Sequence, residues 1–292
     1  LFDGQSMDGR TPADRDIAFV FQQYSLYPTM SVFDNLAFPL RSPLRKVPEA
    51  EIKQRVAAAA ETLRISHLLT RKTAHLSGGE MQRVSIGRAI VRSPRIFLMD
   101  EPLSNLDAKL REALRVELKH LQKTQASTTL FVTHDQIEAL TMADRIGVIR
   151  EGRLIQVGTP DDIYDRPATT FVAQLVGSPR INLLAARRED GRVFIQATDL
   201  HLPAPALSLP PEFLIGIRPE DIKPDPAGDF AGQVTLTEPL GVETIVHIQS
   251  GEQTLLSLVP GMTALRIGET VRFNIVREKL HCFDQERQRI AA

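Results

Sequence analysis

The segment Leu76-Ser77-Gly78-Gly79-Glu80-Met81-Gln82-Arg83-Val84 places a serine and two glycines at the mouth of a helix. Free backbone N–H groups and the helix dipole favour an anion there, and glycine lets a phosphate approach with no Cβ in the way. Read alone, a glycine pair is a plain loop before a helix, so the rest of the sequence has to decide. Downstream, the apolar run Ile96-Phe97-Leu98-Met99 meets Asp100-Glu101-Pro102, then Ser104-Asn105-Leu106-Asp107, then Thr133-His134-Asp135. Splitting a phosphoanhydride asks for a metal on the phosphates, a polarised water and donors around the terminal phosphate. Asp100, at the end of a buried strand, is placed to hold Mg²⁺ through water. His134, closing the strand Thr129–Val132, would donate to the γ-phosphate and contact the water. One helix and one strand separate Glu101 from His134, which returns the chain to the same sheet edge. The bland alternatives are two acids solvating a strand end and a structural histidine.

In this order the blocks resemble the signature, Walker B, D-loop and H-loop of ABC-type ATPases, and most of all those of the ATPase subunit of maltose-type sugar importers. Phe21-Gln22-Gln23-Tyr24-Ser25-Leu26-Tyr27-Pro28 resembles that subfamily's Q-loop, and Gly177-Ser178-Pro179-Arg180-Ile181-Asn182-Leu183-Leu184 the start of its regulatory domain. The resemblance runs from Asp3 to about Phe283. It implies ATP and Mg²⁺ as cofactors, Glu101 as the base that orients the attacking water, and Gln22 as the glutamine that meets the metal, with Gln23 as the alternative. It also implies a head-to-tail dimer with a second ATPase subunit, most simply an identical one. There Ser77, Gly78, Gly79 and Glu80 serve the nucleotide of the partner, and Asp107 reaches across the seam. Where the family usually carries glutamine this chain has Glu80, whose carboxylate suits the helix dipole yet weakens the potential offered to a phosphate. The remaining implied partners are transmembrane permease subunits at the cytoplasmic face of the inner membrane and, indirectly, a solute-binding protein. Part of the aromatic and apolar stretch Tyr24–Leu40 would form the permease groove, core packing accounting for the rest.

One family element is missing. A Walker A loop, G-x-x-x-x-G-K-[ST], would supply backbone N–H groups and a lysine to the β- and γ-phosphates, and the sequence contains no Gly-Lys pair. The expectation is an N-terminally incomplete chain that energises import of a carbohydrate or related solute. The competing reading is a catalytically incompetent or regulatory ABC subunit that does not bind ATP alone. ABC ATPases of DNA repair or translation carry long coiled coils or tandem halves, and neither is visible.

Ile17–Phe21 reads as a strand buried on both faces of a parallel sheet. Glu49–Leu69 favours helix, and residues 28 to 94 or so form a helical subdomain. The helix opened by Gly78 must stop near Ser93, ahead of Pro94. Ile96–Met99, an amphipathic helix Ala108–Gln122 and Thr128–Thr133 continue an α/β layer, closed by a hairpin turning at Glu151-Gly152 and a helix starting at Thr159-Pro160. This predicts a truncated RecA-like P-loop NTPase core over residues 1–176. From Gly177 to Ala292 short alternating strands predict a small all-β, OB-like regulatory domain of TOBE type, either a sensor or a dimer-stabilising module, with an irregular connection at Pro203, Pro205, Pro210 and Pro211. Lysine plus arginine number 35 against 36 acidic residues, so no global field draws the chain to nucleic acid. Cys282 is the single cysteine, which excludes an internal disulfide.

Overall fold

The computed structural model describes residues 1–290 except 3, 12, 13, 44–46, 126 and 205–207. Asp3 and Pro205, which figured in the sequence reading, lie outside the described residues. The chain divides into two compact units, Leu1–Glu138 and Ala139–Ala292.

In the first unit β1 (Ile17–Val20), β2 (Ile96–Asp100) and β3 (Thr128–Val132) form a parallel sheet in the order β1-β2-β3. The register aligns Phe19 with Leu98 and Leu98 with Leu130. Ala18 and Val20 are buried, whereas Phe19 is 42% exposed and Phe21, Leu130 and Val132 are exposed with it. The expectation of a strand buried on both faces is thus met on one face only, because among the described residues of this unit no element packs against the other.

Among the described residues, the connection from β1 to β2 carries three α-helices, α1 (Val32–Ala37), α2 (Glu49–Thr62) and α3 (Gly78–Ile90), and two single 3-10 turns between α2 and α3. Leu36, Val56, Leu63, Val84 and Ile86 are buried among them, and Gly87 allows the closest approach, since a Cβ there would stand 2.8 Å from Leu36 Cδ2. The helix read as running to Leu69 stops at Thr62. Arg64 adopts φ +55°, Ile65 N–H returns to the Ala60 carbonyl at 2.8 Å and Arg64 N–H to that of Glu61 at 3.0 Å. This left-handed terminus turns Ile65 into the core, and burial of that side chain outweighs further helix. Helix α3 is fastened to the segment behind β1: Ser85 Oγ donates to the Tyr24 carbonyl at 2.9 Å and Arg88 to that of Ser25 at 2.7 Å. After β2 comes α4 (Ala108–Gln125), which buries Leu114 and Leu118.

Helix α5 (Gln136–Met142) leads into the second unit, where β4 (Ile146–Arg150) and β5 (Arg153–Gly158) form the expected hairpin. Its two-residue turn sets Glu151 at φ +51° and Gly152 at φ +74°, the twist that suits such loops. Helix α6 (Pro160–Asp165) starts in a capping box between Thr159 and Asp162, and α7 (Thr170–Leu175) follows. The remaining strands are β6 (Asn182–Glu189), β7 (Arg192–Ile195), β8 (His201–Pro203), β9 (Glu212–Ile217), β10 (Ile222–Pro224), β11 (Phe230–Pro239), β12 (Glu243–Ser250), β13 (Gln253–Pro260), β14 (Thr270–Ile275) and β15 (His281–Phe283). They form two antiparallel five-stranded sheets, ordered β15-β9-β6-β7-β8 and β10-β14-β11-β12-β13, around one apolar core that includes Leu202, Ile215, Ile248 and Phe273. Strand β12 alternates buried and half-buried residues along its whole length, as a sheet with one face on a core must.

The change of sequence texture at Gly177 and the compact division at Ala139 differ because α6 and α7 are held by a residue of the β layer. Arg218, 2% exposed, donates Nη1 to the carbonyls of Ala173 and Val176 and Nη2 to that of Tyr164. Its guanidinium lies 4.0 Å from the centre of the Tyr164 ring, and the Tyr164 hydroxyl donates to Glu220. The carboxyl ends of two short helices, where carbonyls lack helical partners, are satisfied by one cation.

Candidate active site

Each of the three parallel strands delivers one polar residue at its carboxyl end, the edge where open α/β sheets bind ligands. Gln22 follows β1, Glu101 follows β2 and His134 follows β3. They meet at Glu101: Gln22 Nε2 donates to Oε2 at 2.9 Å, and His134 Nδ1 stands 3.3 Å from Oε1. The amide of Gln22, not that of Gln23, makes this contact, and the Asn105 amide braces it by donating to the Gln22 carbonyl at 3.3 Å. Glu101 sits at φ +44°, an uncommon conformation for a residue with a side chain. Its N–H donates to the Val132 carbonyl at 3.0 Å, and its own carbonyl accepts from Ser104 Oγ at 3.0 Å. The tight turn leaves the carboxylate in contact with residues that follow both flanking strands. With Nδ1 facing Glu101, the Nε2 of His134 remains for another partner, and the side chain is 73% exposed.

Asp100 is the last residue of β2, level with Val132 of β3. Among the described residues its carboxylate has no hydrogen-bond or ion-pair partner, and no group of three or more His, Cys, Asp or Glu side chains is arranged to hold a metal. A lone free carboxylate is compatible with magnesium, which keeps several waters and takes one or two protein ligands.

The predicted signature residues lie elsewhere: no hydrogen bond or ion pair joins Ser77, Gly78, Gly79, Glu80 or Asp107 to the Gln22–Glu101–His134 cluster. Ser77 caps α3, and Glu80 closes a capping box by accepting from the Ser77 N–H at 2.7 Å and hydroxyl at 2.9 Å. Those bonds, the backbone one first, hold the Glu80 carboxyl below its ordinary range. A Cβ on Gly79 would stand 2.7 Å from Leu110 Cδ2, and one on Gly78 3.3 Å from the Tyr24 hydroxyl oxygen, so close packing accounts for the pair as well as an anion would. Asp107 caps α4, accepting from the Leu110 N–H at 3.0 Å. Two participants escaped the sequence reading. Asn105 lies inside a block already singled out, and Arg111 stands four residues beyond Asp107, one helical turn on, a spacing that signals a shared face.

A family description, ABC transporter, matches residues 1–104, and a second, TOBE domain, matches residues 215–283. The chain belongs to the ABC transporter ATP-binding proteins, with a TOBE domain behind the ATPase portion. It is 44% identical over 98% of its length to the sn-glycerol-3-phosphate import ATP-binding protein UgpC of Vibrio vulnificus, covering 78% of that protein. With the trehalose/maltose import ATP-binding protein MalK of Thermococcus litoralis it shares 48% identity over 94% of this chain and 77% of the relative. The sn-glycerol-3-phosphate import ATP-binding protein UgpC 3 of Agrobacterium fabrum is likewise 48% identical, over 96% and 80%.

Proposed function

We propose that this chain is the ATP-hydrolysing subunit of an ABC importer for a carbohydrate or related solute. The observation that carries the reading is the convergence of Gln22 and His134 on the Glu101 carboxylate from adjacent parallel strands. Names of relatives that import sn-glycerol-3-phosphate or trehalose and maltose support the solute class.

ATP supplies the phosphoanhydride and Mg²⁺ neutralises its charge. The residues present fit the metal, water and γ-phosphate side of that group: Asp100 is a free acceptor for a hydrated cation, Gln22 carries an amide beside it in the sheet edge, and Glu101 is a polar base in reach of a water. His134 Nε2 is the donor for a terminal phosphate oxygen. No Gly-Lys pair occurs in the sequence, so the cradle of the β-phosphate is not assigned to any residue here. Ser77, Gly78, Gly79 and Glu80 act on nucleotide held by a second copy in a head-to-tail dimer, with Asp107 at the seam. Permease subunits bind the surface near Tyr27 and Phe38, both exposed and in ring contact at 4.5 Å, on the cytoplasmic side of the membrane, and a solute-binding protein delivers cargo from the other side. Residues 177–292 act as the regulatory portion.

The test is Glu101→Gln in protein that carries this chain together with a glycine-rich lysine loop. Turnover should fall about 10³-fold with Mg²⁺-dependent ATP binding retained. Normal turnover in that variant rejects Glu101 as the base, and absence of ATP binding by the parent protein rejects the whole reading.

A further inference from the structure

Arg111 projects from the first turn of α4 into the space between two loops that the proposed mechanism treats as separate. Its Nη2 donates to the Leu106 carbonyl at 3.1 Å and the Ser104 carbonyl at 3.4 Å, and its Nη1 stands 3.5 Å from Asp135 Oδ2. Asp135 is the residue after His134. Its other oxygen, Oδ1, accepts from the N–H groups of Ile137 at 2.7 Å and Glu138 at 3.2 Å, which caps α5. Thr133, on the other side of His134, donates its hydroxyl to the buried Glu138 carboxylate at 2.6 Å and accepts from the Asp135 N–H at 2.9 Å. The loop carrying His134 is therefore anchored at both ends to α5. The loop from Ser104 to Asp107 is anchored to α4, and Arg111 is the cation that ties the two together. A guanidinium suits this task because its rigid planar fork reaches two carbonyls and a carboxylate at once, which an ammonium cannot.

We propose that Arg111 is a positioning residue that makes the Asp107 loop and the His134 loop move as one body, so that a displacement of the first by a second subunit is felt at the imidazole. The coupling rests on the functional reading above; the physical tie does not. Arg111 touches neither Glu101 nor any reacting atom, and it acts through Asp135 on the histidine next to it.

Hydrogen exchange on the 292-residue chain separates the two levels. Arg111→Met should speed exchange of the backbone amides in both 102–107 and 133–137 by about tenfold or more, while β12 in the other unit keeps its protection. Arg111→Lys should fall between, since it keeps the charge and loses the fork. Faster exchange in only one segment, or in neither, overturns the tie. In hydrolysing protein the same Arg111→Met change should lower kcat about 100-fold with KM within about twofold, the mark of a misplaced group and not of lost binding. An unchanged kcat despite loosened loops overturns the role in the reaction. If parent protein hydrolyses no ATP, the functional reading fails on its own, and the exchange result still decides the tie.

Discussion

Arg111 and Arg218 perform the same operation in different surroundings. Each ties two segments together through its guanidinium: Arg111 holds two carbonyls of one loop with Nη2 and the Asp135 carboxylate of another with Nη1, and Arg218 gathers three carbonyls with both terminal nitrogens. The side chain of Arg111 is 33% exposed and its ionic partner, Asp135, is within reach of water, so solvent competes for every contact. Arg218 is buried, has three carbonyls and an aromatic face as partners, and burial pulls its pKa down. An exposed clamp fixes geometry at little gain in stability, whereas a buried one becomes part of the core and cannot be removed without leaving orphaned carbonyls. Burial lowers the pKa of both Arg218 and His281, and both groups belong to the packing of the second unit, so here a perturbed pKa marks architecture.

The largest expected effect that can break this contrast is Arg218→Met, which should destabilise the second unit by about 4 kcal/mol through three carbonyls left without a donor. A drop in urea midpoint at unchanged slope measures it, and a loss below about 1 kcal/mol would place Arg218 with the exposed class.

Next comes pH. Burial first, then Arg218 and Arg289, push the His281 imidazole down to about 4, and the Arg289 guanidinium lies 3.1 Å from its Nδ1. The unfolded chain, with an imidazole pKa of about 6.5, takes up the proton first as pH falls. Stability present above that value should be lost between about pH 6.5 and 4, by up to about 3 kcal/mol. His281→Asn should flatten that part of the profile; an equally steep loss in the variant would assign it to other groups.

A smaller effect is expected at Thr159, whose hydroxyl accepts the Asp162 N–H at the start of α6. Thr159→Ala should cost about 1 kcal/mol by calorimetry. The smallest is Arg111→Met, which should change unfolding stability by less than about 0.5 kcal/mol while altering turnover. A stability loss equal to that of Arg218→Met would erase the distinction between the two arginines.

The convergence of three candidate residues was legible because they are local punctuation. Strand-end positions of Gln22, Glu101 and His134 follow from apolar runs that stop, and the α6 cap follows from Thr159-Pro160. What escaped was set by contacts distant in sequence. No local pattern announces that Arg218 will reach back to Tyr164 and Ala173, which places the two short helices before Gly177 in the same compact unit as the strands after it. The early end of α2 escaped because Arg64 takes a left-handed conformation usually given to glycine, a choice made by the burial of Ile65 and not by the residue that adopts it. The charge of Glu80 is plain in the sequence, whereas its part in the helix cap shows only in its bonds to Ser77.

The parallel ladder of β1, β2 and β3 has a consequence for tolerance to change. Gln22, Glu101 and His134 hang from three separate strands whose pairing fixes how far each one reaches. A single residue inserted within Ile17–Val20, or within Thr128–Val132, would shift the following end of that strand by about 3.3 Å against its neighbour and turn it to the opposite side of the sheet. The cluster would come apart with all three of its residues still encoded, so the length of those apolar segments fixes the convergence as much as the groups at their tips do.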